Sequence, residues 1–190
     1  MKVLSEERKY TAQDFERLPE GPPYYQLING ELIMSPSPAL EHQRTSKRLF
    51  HMLYTLIEIP KKGEVFYSPV DVYVDEENVF QPDINVFQPD IVVILEGSRA
   101  KMAKRGVEGA PDVVVEILSP STGYYDLTIK KEVYERSGVK EYWVLDSQRR
   151  TFEIYKNTQE GFKLTSQARE KGKVFSEILG IEIDLQEVFS

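Results

Sequence analysis

The feature that most constrains the fold is a short apolar run broken by a single carboxylate. Residues 113–118 read Val-Val-Val-Glu-Ile-Leu. Such a run predicts a short strand that is buried on both faces, because a half-exposed strand would alternate apolar and polar residues. An unpaired carboxylate inside that strand would cost several kcal/mol. Glu116 must therefore be protonated, salt-bridged or held charged by a cation at the mouth of a site, and we favour the cation.

A second strand of the same character carries another acid at its start. Residues 90–95 read Asp-Ile-Val-Val-Ile-Leu and follow Pro89. Carboxylates from two strands of one sheet suit a hard divalent metal, and the backbone carbonyl of Ile117 could be a third oxygen ligand. Magnesium favours such sites, in which water and substrate phosphate complete the coordination. Asp90, Glu116 and Ile117 are thus the predicted ligands of Mg²⁺ or Mn²⁺.

A tandem duplication leaves the choice of aspartate open. Residues 78–84, Asn-Val-Phe-Gln-Pro-Asp-Ile, are repeated without change as residues 85–91. One copy of seven residues is too short for a solenoid, so we interpret it as a local duplication. Asp83 is therefore an alternative metal ligand. We favour Asp90, because the five apolar residues after it would hold it in a central strand.

A lysine on the following helix could complete a phosphodiester-cleaving site. Asp126, Lys130 and Tyr134 recur at i, i+4 spacing in a helix predicted for residues 124–137. An ammonium there could reach back to Glu116 and stabilise charge on a phosphoryl oxygen. Alternatively, Asp126 and Lys130 form an ordinary exposed pair that contributes about 0.2–0.5 kcal/mol. Spacing alone favours this second interpretation.

The rim of such a site has weaker candidates. Glu31 follows the Asn-Gly turn of a predicted hairpin, His42 lies near the start of a helix, and Tyr124 could stack on a base. Asp126 could also border the site. An edge glutamate, a helix-capping histidine and a core tyrosine are the more common interpretations.

Periodicity predicts an α/β (α+β) fold with a central mixed sheet flanked by helices and with β-hairpins added at its N- and C-terminal ends. Residues 96–109 are predicted to be a connection with a helical turn near Lys101. The predicted helices are 12–18, 39–58 and 124–137, and the predicted strands are 24–28, 31–34, 64–75, 90–95, 113–118, 141–146, 151–156, 162–166 and 181–185.

Composition limits the number of domains, the compartment and the partners that the chain is expected to have. A chain of 190 residues with 41% hydrophobic residues is expected to form one domain over residues 1–190. The absence of cysteine excludes disulfides and thiolate metal sites and predicts a reducing cytoplasm. No apolar run approaches the roughly 20 residues that span a bilayer, so no membrane partner is expected. The net charge of -7 argues mildly against a wide grip on a phosphate backbone.

Several ordered motifs resemble the Uma-type putative restriction endonuclease family of the PD-(D/E)XK nuclease superfamily. The likeness covers roughly residues 27–156. Its motifs are Gln-Pro-Asp-Ile-Val-Val at 88–93, Ala-Pro-Asp-Val-Val-Val-Glu-Ile-Leu-Ser-Pro-Ser-Thr at 110–122, Asp126-x3-Lys130-x3-Tyr134, and Gly-Val-Lys-Glu-Tyr-Trp-Val-Leu-Asp at 138–146.

The resemblance implies a restriction-endonuclease-like core and metal-dependent cleavage of DNA. By position, Asp90 and Glu116 become the metal-binding carboxylates. The superfamily lysine expected two residues after Glu116 is replaced by Leu118, and Lys130 is its displaced substitute. Nucleases of this type often pair to cut two strands, so a homodimer is expected. Two alternatives stay open: a nucleic-acid-binding or protein-binding module without turnover, which Leu118 and the acidic charge favour, and a hydrolase of small phosphoesters.

Overall fold

The computed structural model describes residues 9–35, 37–74, 85–120 and 123–190. The alternative ligand Asp83 and the first copy of the duplication lie outside these residues. Within them, no helix has the length and apolar character needed to cross a membrane.

The described chain contains helices and strands in a mixed order. The helices are α1 Ala12–Glu16, α2 Leu40–Leu53, α3 Gly123–Tyr125, α4 Lys131–Ser137 and α5 Leu185–Phe189, with π-helical turns at Tyr54–Glu58 and Asp126–Lys130. The strands are β1 Tyr25–Ile28, β2 Glu31–Met34, β3 Gly63–Tyr67, β4 Val72–Val74, β5 Asn85–Phe87, β6 Ile91–Leu95, β7 Lys101–Ala103, β8 Gly106–Glu108, β9 Val113–Ile117, β10 Glu141–Asp146, β11 Thr151–Thr158, β12 Gly161–Arg169, β13 Lys173–Ser176 and β14 Ile181–Asp184.

The central sheet has the order β12-β11-β10-β9-β6-β3. Strand β9 lies in its interior, parallel to β10 and antiparallel to β6. Every residue of β9 is buried. The predicted α/β (α+β) fold with a central mixed sheet is therefore confirmed, as is the prediction that the strand containing Glu116 is buried on both faces.

Alternation along β9 divides its side chains between two apolar clusters. Val113 and Val115 pack in the cluster that includes Leu49 and Leu53 of α2. Val114 packs in the cluster on the opposite face, which includes Tyr134 of α4. Because successive strand residues point to opposite faces, Glu116 is directed toward the face that α4 covers. This alternation positions the candidate site.

A second six-stranded sheet, of order β2-β1-β5-β4-β8-β7, differs from the sequence-based expectation. Residues 96–109 contain the hairpin β7-β8 rather than a helical turn, so that expectation was wrong. Strand β8 instead pairs in parallel with β4, and Val107 N donates to Asp71 O at 2.8 Å. Gly106 permits this approach, because a Cβ atom there would lie 2.3 Å from Asp71 O.

The predicted strand over residues 64–75 divides into β3 and β4, which belong to different sheets. The C-terminal segment 181–185 also differs: β14 pairs with β13 and is followed by α5. Asp184 begins this helix by accepting from Gln186 N, and Leu185 and Val188 are buried with α2 in the first cluster. Tertiary burial, rather than a periodic pattern, determines this short helix.

Candidate active site

Strand register brings Asp90 and Glu116 to the same end of the central sheet. Ile91 is opposite Val115 in the antiparallel pair of β6 and β9, so the next position outward places Asp90 beside Glu116. Asp90 N donates to Val115 O at 3.1 Å, and Ile117 N donates to Asp90 Oδ2 at 2.7 Å. The two carboxylates and Ile117 all line one cleft of about 1430 Å³.

Glu116 is held by an ammonium and a phenol. Only 3% of the residue is exposed. Its Oε1 accepts from Lys130 Nζ at 2.9 Å and from Tyr134 OH at 3.4 Å. Of the three possibilities that the sequence left open, the structure contains the salt bridge, and the cation beside Glu116 is the ammonium of Lys130.

Lys130 bridges two carboxylates inside the protein. Its Nζ lies 2.9 Å from Glu116 Oε1 and 2.8 Å from Asp126 Oδ1, and the side chains of Lys130 and Asp126 are 2% and 1% exposed. The interpretation of Asp126 and Lys130 as an exposed surface pair was therefore wrong. The π-helical turn that carries both residues packs onto the sheet, so the face at i, i+4 spacing points inward rather than to solvent.

The charges of this cluster shift its pKa values. Burial raises the pKa of Glu116 well above its usual value; the charge of Lys130 opposes this, while Asp126 and Asp90 add to it. Burial lowers the pKa of Lys130, but Glu116 and Asp126 outweigh that effect and raise it. Lys130 therefore stays protonated between Glu116 and Asp126, and Asp90 adds a third carboxylate whose partner is His42.

His42 lies inside the site rather than at its rim. Its Nε2 is 3.3 Å from Asp90 Oδ2, and its side chain is 13% exposed. Burial lowers the pKa of His42, but the hydrogen bond and charge of Asp90 outweigh burial, so the pKa is raised. Among the described residues, its Nδ1 is buried without a hydrogen-bond partner. His42 thus fixes the orientation of Asp90, and the backbone of Ile117 also contributes to the raised pKa of His42.

The other residues predicted at the rim do not line the cleft. Glu31 lines a smaller cavity, which shares Pro22 and Pro23 with the cleft, and is not among the cleft residues. Tyr124 is 70% exposed and does not line the cleft. Asp126 acts on the site through Lys130.

Sequence reasoning missed several cleft residues. Gln88 donates its backbone N to Gln26 Oε1 at 3.0 Å and its Nε2 to Asp71 Oδ1 at 2.8 Å, which ties the loop before Asp90 to the second sheet. Arg44 and Lys47 of α2 also line the cleft. Their spacing of three residues, shortly after His42, was a usable signal, because residues three apart share a helix face.

The donors present fit a hard divalent cation. Within the described residues, no group of three or more histidine, cysteine, aspartate or glutamate side chains is arranged to hold a metal. A magnesium site with two carboxylates, a carbonyl and water does not require one. The hydrogen bonds given above use Oδ2 of Asp90 and Oε1 of Glu116. In the part of the chain that is described, the second oxygen of each receives none, so it is available to a cation.

Comparisons with known proteins agree with this architecture. A crystal structure titled as a putative nuclease belonging to DUF820 from Anabaena variabilis ATCC 29413 is similar, with a TM-score of 0.75 and 21% sequence identity over 94% of this chain and 97% of that chain. At this identity the likeness shows the fold alone. No curated protein sequence matched the chain. Residues 12–186 match the family Uma2, described as putative restriction endonuclease. Because this match spans most of the sequence, the chain belongs to the Uma2 family of putative restriction endonucleases.

Proposed function

We propose that this protein is a metal-dependent endonuclease that hydrolyses phosphodiester bonds of DNA. The observation that carries the proposal is the convergence of Asp90, Glu116 and Lys130 at one end of β6 and β9, where all three line a single cleft. Membership of a nuclease family supports this reaction class.

Each residue has a distinct proposed role. Asp90, Glu116 and the carbonyl of Ile117 would hold Mg²⁺ or Mn²⁺. A bound ion of this kind supplies Lewis acidity at the scissile phosphate and a more acidic water. Lys130, kept protonated by its two carboxylates, would stabilise the negative charge that develops on the phosphoryl oxygens. His42 would position Asp90 by donating from Nε2.

A second candidate function rests on a specific departure from the superfamily pattern. Leu118, which lines the cleft, occupies the position where a lysine is expected, and Lys130 is already engaged by Glu116 and Asp126. A nucleic-acid-binding or protein-binding module without turnover would tolerate both features. Of the two, a nucleic-acid-binding module would bind DNA with a steep salt dependence and never cut it.

Assembly and compartment are also proposed. Nucleases of this type often pair to cut two strands, and on this ground we propose a homodimer. Light scattering would contradict it by detecting only a 22.0 kDa species. The absence of cysteine supports a reducing, cytoplasmic environment.

Cleavage of plasmid DNA tests the proposed function directly. The wild-type protein should nick plasmid when Mg²⁺ is added, and Asp90→Asn and Glu116→Gln should each abolish nicking. Glu31→Gln is the matched control, because it removes a carboxylate that does not line the cleft. Nicking that survives both site substitutions would contradict the assignment, and absence of nicking with tight, salt-dependent DNA binding would favour the binding module.

A further inference from the structure

The cleft has an exposed aromatic rim that the proposed chemistry does not use. We define the aromatic rim as Phe50 of α2 and Tyr67 at the end of β3, both of which line the cleft. Their ring centroids lie 4.8 Å apart with an interplanar angle of 71°. Tyr67 is 61% exposed. An apolar ring held in place by a second ring, yet open to solvent, is a preformed surface for stacking.

Two cations lie on the same side of the cleft. Arg44 and Lys47 are exposed, line the cleft and precede Phe50 at successive intervals of three residues on α2. Within the described residues, neither forms an ion pair with a carboxylate. At 1.5 Å per residue, the path along α2 from His42 to Phe50 measures about 12 Å. This helix therefore presents two exposed cations and then an aromatic ring along the cleft.

We infer that the substrate enters the cleft as an unpaired DNA strand, with phosphates on Arg44 and Lys47 and a base stacked on the aromatic rim. This inference rests on the proposed function and specifies its substrate class. Single-strand-binding proteins combine a cationic track with aromatic rings, because every unpaired base offers a π face. In a duplex the bases present only their edges in the grooves.

The net charge of the chain and the volume of the cleft favour an unpaired DNA strand over a duplex, a small ligand or a protein partner. A duplex is held by phosphate contacts spread over a wide basic surface, whereas this chain has a net charge of -7 and the two exposed cations of its cleft, Arg44 and Lys47, lie on one helix. The cleft volume exceeds the roughly 300–1,000 Å³ of a site for one drug-sized ligand. An apolar protein partner would bury Arg44 and Lys47 without counter-charges, at a desolvation cost that phosphates would offset.

Binding to oligonucleotides tests the inference separately from cleavage. Fluorescence anisotropy with the full chain in EDTA compares a labelled oligothymidylate with a duplex of equal length. The single strand should bind more tightly, and Tyr67→Ala should weaken its binding about tenfold, the loss expected for one stacked base. Tyr67→Phe should retain binding, because the ring remains. Phe175→Ala is the control, since Phe175 is exposed but lies outside the cleft residues.

Salt dependence tests the cations. Arg44→Gln and Lys47→Gln should each reduce the slope of log affinity against log salt by about 0.7, the value for one phosphate contact on a single strand. Unchanged slopes would overturn the assignment of Arg44 and Lys47 as phosphate contacts.

The outcomes separate this inference from the proposed function. Single-strand binding that depends on Tyr67, without any cleavage in Mg²⁺, would uphold the inference and refute the nuclease. Equal cleavage of duplex and single strand, unaffected by Tyr67→Ala, would uphold the nuclease and overturn the inference. A Tyr67→Ala variant that loses only a dimer in light scattering would also overturn it, because the aromatic rim would then be a contact between copies.

Discussion

Two buried carboxylates lie near opposite ends of the central strand β9, and their surroundings differ. Asp112, just before β9, is 2% exposed; its Oδ2 accepts from Leu95 N at 2.8 Å, and its Oδ1 lies 2.6 Å from the Nζ of Lys140. The side chain of Lys140 is 54% exposed. Asp112 therefore has one backbone donor and one solvated cation, and its charge is balanced locally.

Glu116, at the other end of β9, lies among further acids. Its partner Lys130 is shared with Asp126, and Asp90 lies beside it at the mouth of the cleft. The contrast shows that burial of a carboxylate does not by itself indicate a functional site. What distinguishes the Glu116 end is that three carboxylates gather around one buried lysine and one histidine beside an open cleft.

Replacing Lys130 or Lys140 should give the largest difference in stability between the Glu116 and Asp112 ends of β9. Lys130→Met would leave buried Glu116 and Asp126 without their ammonium, and we expect a loss of about 3–5 kcal/mol in the free energy of unfolding. Lys140→Met should cost less, about 1–3 kcal/mol, because buried Asp112 loses one charged partner but keeps the hydrogen bond from Leu95 N. Urea unfolding measures both values. Adding Glu116→Gln to Lys130→Met should restore part of the loss; equal costs for the two lysines would remove the distinction.

Neutralising each carboxylate should separate activity from stability. Glu116→Gln should lower the cleavage rate about a hundredfold or more, because it removes one of the proposed metal ligands, while Lys130 keeps Asp126 as partner. Asp112→Asn should cost about 1–3 kcal/mol in the free energy of unfolding, since a buried charged hydrogen bond is weakened. Cleavage by the folded fraction of Asp112→Asn should be unchanged. A comparable loss of activity in both variants would contradict the assignment of function to one end.

Added Mg²⁺ should raise the free energy of unfolding by binding at the Glu116 end of β9 only. At a Mg²⁺ concentration one hundred times the dissociation constant, the wild-type free energy of unfolding should rise by about 2.7 kcal/mol. Asp90→Asn should lose this gain, while Glu31→Gln should keep it. Chemical unfolding with and without Mg²⁺ measures the difference. A gain in Asp90→Asn equal to that of the wild type would mean that the ion binds elsewhere.

Asp71 extends the comparison to a third carboxylate, whose side-chain hydrogen bond within the described residues comes from the amide of Gln88. Burial raises its pKa, and the hydrogen bond from Gln88 opposes this. Because the folded-state pKa is the higher one, the stabilising contribution is complete below the unfolded-state pKa and is lost as pH rises through the folded-state pKa. Asp71→Asn should therefore gain stability relative to wild type as pH rises above the unfolded-state pKa of about 3.9, by under about 1 kcal/mol because Asp71 is partly exposed. A gain that does not change with pH in urea unfolding would contradict this.

Local patterns predicted much of the fold. The Asn29-Gly30 turn, the long helix ending at Glu58 and the helix ending before Gly138 are all present, since turn chemistry, periodicity and a left-handed cap act over a few residues. The second sheet was not predicted, because β4, β5, β7 and β8 have three residues each. Segments so short carry no periodicity, and their pairing depends on partners far along the chain.

The candidate site was likewise predicted from the sequence only in part. A carboxylate inside an apolar strand marked Glu116, and the apolar residues after Asp90 marked that aspartate. Spacing alone favoured an exposed position for Lys130, whereas packing of the π-helical turn onto the sheet buried it against Glu116. The inclusion of His42 and the exclusion of Glu31 likewise depended on where α2 and β2 lie relative to the cleft.

The sequence by itself determined which segments are buried strands and which acids interrupt them, because alternation and β-branching act within a single segment. Only the tertiary structure decided which acids share a cation, which lysine neutralises them and where the cleft opens. Those relations depend on strand register and helix docking, which join residues that are distant along the chain. The charge around Glu116 is therefore a property of the assembled sheet, not of any one segment.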